Sequence, residues 1–360
     1  MSSNESALTD ISNLGEFGLI KYLTRNSKFK HPHVLKGIGD DAAVIKSGNG
    51  MAEVISTDLL LEGIHFDLAY MPLRHLGYKS VVVNLSDIFA MNAIPYGVTV
   101  SIAASNRFPI EALDELYEGI NLACEKYGVE LIGGDTSSSR QGLLISVTAM
   151  GRAKEEDIVY RKGAQKQDLI CVTGNLGAAY AGFLVLDREK AVFQKSPESQ
   201  PDLTDYDYVV GRQLKPEARG DIIQKLAANN LKPTAMMDIS DGLASELNHI
   251  GRQSEMGVSI YAHKIPIDYQ TVSVAEEFKI SQTMFAMNGG EDYELLMTLP
   301  LQSFDTLKSI PEISIIGHIT EDKNQLDIIL ENGSVAPIEA QGWQHFSNAE
   351  KLDQETTDNQ

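Results

Sequence analysis

Seven aspartates, Asp40, Asp41, Asp58, Asp87, Asp135, Asp238 and Asp241, stand at the ends of apolar runs, beside Gly, Ser or Thr. Singly, each reads as a helix N-cap or a turn residue. Together they constrain the fold, because carboxylates at the ends of buried elements must meet a neutralising partner. The stretches carrying Asp58, Asp135 and Asp238 contain no nearby Lys or Arg. A divalent cation is then the natural partner. An oxygen-only ligand set, without His or Cys clusters, points to magnesium rather than zinc or iron. Magnesium held this way usually completes its shell with substrate phosphates.

In "KGIGDDAAV" Asp40 and Asp41 are adjacent. An extended segment points them to opposite faces, so only one is expected to reach a shared cation. "GGDTSSS" and "TGNLG" read as cradles whose backbone N–H groups hold phosphate. Arg161 and Lys162 either neutralise nucleotide phosphate or are solvated linker charges. No G-x-x-x-x-G-K-[ST], H-R-D or D-F-G motif occurs, which excludes P-loop and protein kinases.

At 360 residues the chain is long enough for two α/β-sized domains. Its net charge of −20 disfavours nucleic acid and anionic membranes as partners. Cys124 and Cys171 read as buried hydrophobes, not a disulfide or zinc framework. The polar N-terminus has no signal-peptide pattern, and no apolar run approaches a membrane span, so a cytoplasmic location is expected. "AEVISTD" and "LLISVTAMGRA" read as strands. "FPIEALDELYEGINLACEKYG" reads as a helix opened by Pro109, striped by Ile110, Leu113, Leu116, Ile120 and Cys124, and ended by Gly128. The composition of "YKSVVVNLSDIFAMNA" also favours a helix, with Asn84 and Asp87 on one face. "AKEEDIVYRKGAQKQD" resembles an interdomain connection, and "SPESQPDLTDYDY" an acidic surface loop. The expected organisation is an N-terminal domain over 1–153, a C-terminal α/β domain over 154–346 and a disordered tail over 347–360.

"GIGDDAAV", "STDLLLEGIHF", "VNLSDIFAMNA", "LIGGDTS", "DISDGLASEL" and "NGGEDYEL" follow one another in the order found in the thiamine-monophosphate kinases. By these motifs the chain resembles that family over roughly residues 15–346. The wider resemblance is to the superfamily of aminoimidazole ribonucleotide and selenophosphate synthetases. It implies two α/β domains, with N-terminal domains joined as a dimeric β-barrel, and phosphorylation of thiamine monophosphate by ATP. By motif position it implies Asp41, Ser56, Thr57, Asp58, Asp87, Asp135, Asp238 and Asp241 as magnesium ligands. It likewise implies Tyr117, Gly134, Asp135, Arg161 and Ser240 as ATP contacts, and His65, Glu291 and Trp343 as substrate contacts. No catalytic side chain is expected, because the attacking phosphate is already ionised at neutral pH. The competing readings are another ATP-dependent synthetase of the superfamily and a non-catalytic magnesium or nucleotide sensor.

Overall fold

The structure, a computed structural model, describes residues 14–340 apart from Ser199. Pro32–Gly342 form one compact unit, and helix α1 (Gly15–Thr24) belongs to a separate one. The first half of the larger unit is a six-stranded sheet. It contains β1 (Val34–Lys36), β2 (Ala43–Gly48), β3 (Met51–Leu61), β4 (Ile94–Ala104), β5 (Glu130–Ser138) and β6 (Leu144–Lys154), in the order β1-β2-β3-β6-β4-β5. All pairs are antiparallel except β4–β5, which are parallel and joined through α3 (Ile110–Tyr127).

Both strand readings hold, within β3 and β6. The helix reading over α3 also holds: Pro109 enters in extended backbone and Gly128 ends it at φ 65°. The buried stripe runs over Leu116, Ile120 and Cys124, whereas Ile110 is 66% exposed and lies outside it. The "YKSVVVNLSDIFAMNA" segment is the core of α2 (Leu73–Ala90), buried along nearly its whole length. A helix apolar all round needs cover all round. Accordingly α2 packs on β3, β4 and β6, and also on elements of the second half. It crosses α3 at two glycines. A Cβ on Gly77 would meet the Leu116 carbonyl oxygen at 1.9 Å, and one on Gly119 the Arg74 carbonyl oxygen at 1.9 Å.

The second half holds a seven-stranded sheet: β7 (Leu169–Thr173), β8 (Ala235–Asp238), β9 (Gly257–Tyr261), β10 (Leu295–Leu299), β11 (Ile313–Thr320), β12 (Leu326–Ile329) and β13 (Val335–Pro337). Its order is β13-β12-β9-β11-β7-β10-β8, antiparallel except for β12–β9. Its helices are α4 (Ala178–Lys195), α5 (Asp207–Leu214), α6 (Gly220–Ala228), α7 (Leu243–Ser254), α8 (Tyr269–Phe278), α9 (Gln282–Asn288) and α10 (Phe304–Leu307). The helix α2 reaches β8, α5 and α6. The charged segment between the sheets packs Ile158, Val159 and Ala164 inward. The acidic tract before α5 is largely exposed and contains a short turn of 3₁₀ helix at Thr204–Tyr206. Cys124 and Cys171 are free and buried. Among the described residues no helix is long and apolar enough to cross a membrane.

Candidate metal and phosphate site

Alternation along β3 buries Ser56 and leaves Thr57 exposed, bonded by its hydroxyl to the Val147 carbonyl at 3.1 Å. The Thr57 side chain therefore does not share the Ser56 face. Ser56 donates its hydroxyl to the Asp87 carboxylate on α2, and Asn84 Oδ1 accepts the Asp58 backbone N–H at 2.9 Å. Asn84 and Asp87 thus do share a face, both turned to β3. Asp238, at the end of β8, accepts a hydrogen bond from Ser86 at 2.6 Å. One carboxylate oxygen each from Asp41, Asp87 and Asp238 lies within 4.8 Å of the others.

Three acids this close repel, and they are half-buried or buried besides. Burial, then Asp58, Asp238 and Asp41, pushes Asp87 well above the carboxylate range. Burial likewise raises Asp238 to about 6, with Asp58 and Asp241 adding to the push and Ser86 and Arg161 opposing it. Asp58 rises to about 6 by burial. Asp41 rises to about 7, burial outweighing the opposing pull of Arg161. Its Oδ2 is buried with no hydrogen-bond partner among the described residues. An unpaired buried oxygen facing two other carboxylates fits a hard divalent cation.

The adjacent pair divides as alternation requires. Asp40 accepts the Arg161 backbone N–H at 3.0 Å and pairs with Lys36 at 2.8 Å. Asp41 turns to the other two aspartates and accepts the Arg161 guanidinium through Nε and Nη2, at 3.0 and 2.6 Å. The cations that tolerate this pair are therefore first of all protein side chains, which the sequence argument for a metal alone had left out. Arg161 is no solvated linker charge: its side chain is 17% exposed.

Gly134 and Asp135 are not gathered with this group in the single chain. They lie on β5, an edge strand exposed almost throughout. Register carries Asp58 across Val147 and Val100 to Gly134, three strand steps or about 14 Å. Asp135 is thus an exposed residue, not the end of a buried element. Gly134 has a packing reason of its own, since a Cβ there would meet the Val100 carbonyl oxygen at 1.8 Å. Tyr117 lies on α3, partly buried against the core.

The "TGNLG" turn does not serve as a phosphate cradle. Gly174 and Leu176 donate to the carbonyls of Glu312 and Pro266. The start of α4 is filled by Asp292, which accepts from Gly177 N at 2.6 Å and Ala179 N at 3.3 Å. A carboxylate from the chain itself takes the place a phosphate would occupy.

The profile of the family "AIR synthase related protein, N-terminal domain" matches residues 39–153. The thiamine-monophosphate kinase of Bacillus subtilis is 33% identical over 340 residues, covering 92% of this chain and 100% of its own. The chain belongs to the thiamine-monophosphate kinase family. The member from Escherichia coli K12 is 32% identical, over 92% of this chain and 98% of that one. A solved structure described as AaThiL complexed with AMPPCP and TMP superposes with a TM-score of 0.81 at 29% identity, covering 94% of this chain and all of that one. The hydrogenase maturation protein HypE, solved with ATP, shares the fold at 14% identity and a TM-score of 0.65, over 94% and 99% of the two chains.

In this thiamine-monophosphate kinase family member the remaining motif residues fall in three loops, after β3, after β8 and before β10. Ser240 and Asp241 follow β8, and both their N–H groups donate to Glu246 Oε1, at 3.1 and 2.8 Å. Glu246 was not foreseen. It is buried on α7, its carboxyl pushed well above the usual range by burial and then by Asp241, and its place in the sequence resembled an ordinary helix residue. His65 Nδ1 accepts the Leu61 N–H at 3.1 Å, so in this contact the ring's proton sits on Nε2. Glu291 pairs with Lys79 of α2 at 3.0 Å. Lys79 was also missed, although a lysine within the apolar stretch "YKSVVV" signals a buried partner. Asp292 and Glu294 face inward, Glu294 bonding Arg212 at 2.9 Å as well as Arg219 and Thr173. Trp343 and the tail lie outside the described residues.

Proposed function

We infer that this chain phosphorylates thiamine monophosphate to thiamine diphosphate with ATP, by direct in-line transfer of the γ-phosphoryl group. The observation that carries this reading is the buried Asp41–Asp87–Asp238 group, with Arg161 at its side, in a chain of this family. The relative solved with AMPPCP and TMP supports it.

Asp41, Asp87 and Asp238 would hold magnesium, with Ser56, Asp58 and Asp241 at its margin. When bound, the metal neutralises charge on the phosphates during transfer. Arg161 opposes protonation of Asp41 and holds it turned toward the other two acids. Ser56 and Ser86 each donate a hydrogen bond to one carboxylate and fix which oxygen remains outward. Glu246 gathers two N–H groups and so holds the turn carrying Ser240 and Asp241. The acceptor phosphate needs no general base, and positioning with charge neutralisation supplies most of the rate.

Gly134 and Asp135, with Tyr117, are assigned to ATP in a homodimer. The exposed edge of β5 is the natural seam along which two six-stranded sheets join as a barrel. We assign His65, Glu291 and Trp343 to thiamine monophosphate, the domain boundary to residues 153–154, and the chain to the cytoplasm, where ATP is available.

Incubation with magnesium, ATP and thiamine monophosphate, followed by product analysis, tests the reading. ADP and thiamine diphosphate should appear in equal amounts, and no label from γ-labelled ATP should remain on the denatured protein. ADP formed without thiamine diphosphate, or a chase-competent phosphoprotein, overturns it.

A further inference from the structure

The side chain of Lys79 is 1% exposed, in the middle of α2. A buried ammonium is costly unless its protons are matched. Lys79 Nζ donates to Glu291 Oε2 at 3.0 Å and to the Gln213 carbonyl at 3.1 Å. Gln213 Nε2 donates to the same Glu291 Oε2 at 2.9 Å. Both donors converge on one oxygen. The Glu291 side chain is 32% exposed, and Oε1 is left to face outward.

The backbone fixes this presentation. Glu291 sits at φ 58°, a conformation held only where the surroundings impose it. Its N–H donates to the Ser240 carbonyl at 2.7 Å. The preceding Gly290 passes so close that a Cβ would meet that same carbonyl oxygen at 2.5 Å. The loop that carries Glu291 is thereby tied to the loop of Ser240 and Asp241.

The charge balance decides what the outward oxygen can read. With an ammonium 3.0 Å away, the pair has no net charge, and its pull on a cation is much weaker than that of a lone carboxylate. What survives is a rigid, charge-assisted hydrogen-bond acceptor. Thiamine monophosphate offers both a cationic thiazolium and an aminopyrimidine. We propose that Lys79 and Gln213 are positioning residues that fix Glu291 as a one-oxygen acceptor for the amino group of the substrate, not as the counter-ion of its cationic ring. This rests on the functional reading above and deepens it.

The test compares kcat/KM for thiamine monophosphate with that for two analogues. One carries an oxo group in place of the amino group; the other has a neutral thiophene in place of the thiazolium. The wild-type chain should disfavour the oxo analogue by about a hundred-fold or more, because a built acceptor rejects a partner that cannot donate. Glu291→Gln should lose most of that preference and keep its preference between cationic and neutral rings. Lys79→Met should raise the KM for thiamine monophosphate about ten-fold or more, with that for ATP unchanged, and flatten the oxo discrimination. Lys79→Arg should restore it. Gln213→Met keeps the ion pair and should show a smaller change in the same direction, which guards against a Lys79 variant that fails to fold. If Glu291→Gln erases the preference for the cationic ring instead, or Lys79→Met weakens both substrates alike, the proposal is wrong. A wild-type chain that forms no thiamine diphosphate overturns the functional reading itself, a different result from either of these.

Discussion

Ser86, on the helix that backs the first sheet, donates to Asp238, at the end of a strand of the second, at 2.6 Å. One hydrogen bond between buried groups thus ties together the two halves that supply the acid group. The other contributors come in the same way: Asp87 from α2, Asp41 from the loop after β1.

Asp87→Asn should cut turnover at saturating magnesium by roughly a hundred-fold or more, since one carboxylate of the cation site is gone. The melting temperature of the metal-free protein should hold or rise, because the substitution relieves repulsion among buried acids. Turnover measured with a melting curve checks both. Near-normal turnover would remove Asp87 from the site.

Stability of the metal-free chain should fall as pH rises from about 5.5 to about 7.5. Asp41, Asp58 and Asp238 are held at about 7, about 6 and about 6, above their ordinary 3.8. In this window the folded chain keeps protons that the unfolded chain has released, so each step up in pH favours unfolding. Acids with lowered values, such as Glu217 and Asp221, contribute the opposite slope only at more acidic pH. His249, lowered to about 4 by burial, opposes the fall up to about pH 6.5 but is outnumbered by the raised acids. Magnesium takes the place of those protons and should flatten or reverse the trend. Melting temperatures across this range, with chelator and with magnesium, decide it; a rise with pH in chelator would contradict the burial of these acids.

Gly77→Ala should destabilise by about 3 kcal/mol, the upper end for overpacking, because the obstructing atom is a backbone carbonyl that cannot rotate away. Gly119→Ala should match it from the other side of the same crossing. Urea midpoints measure both. A neutral result at either position would mean that α2 and α3 lie farther apart.

Asp292→Ala should cost about 3–5 kcal/mol, since it uncaps α4 and leaves the buried Arg212 short of a partner. The KM for ATP should not change, because this helix terminus is closed by the protein's own carboxylate. A large rise in that KM would return the "TGNLG" turn to phosphate binding.

Much of this was legible in the residues themselves. The alternation of β3, the Pro109 and Gly128 ends of α3 and the shared face of Asn84 and Asp87 follow from local periodicity, which sequence records directly. Convergence could be suspected because the stretches carrying Asp58, Asp135 and Asp238 hold no nearby Lys or Arg, although of these only Asp238 joins the group of three acids. The cation that Asp41 does have, Arg161, is 120 residues away, and such a pairing has no local trace. The same holds for Lys79 with Glu291, and for Asp292 capping α4. The "TGNLG" turn was misread because a glycine-rich helix start looks the same whether it awaits a phosphate or already has a carboxylate. The position of Asp135 on an exposed edge depends on strand order, which a single sequence does not contain.

Lys79 and Ser86 are seven residues apart on α2, two helical turns, and reach Glu291 and Asp238 respectively. Helical rise therefore sets the interval between the two handles at about 10 Å, with no loop involved. Loops on either side can lengthen or shorten through mutation and shift the helix as a body, yet the interval stays. One residue inserted between the two would turn them apart by about 100° and forfeit one contact or the other. A change in the spacing between Glu291 and Asp238 is thus closed to simple changes of helix length. It has to arise at the loops that meet α2, where the helical spacing is not at stake.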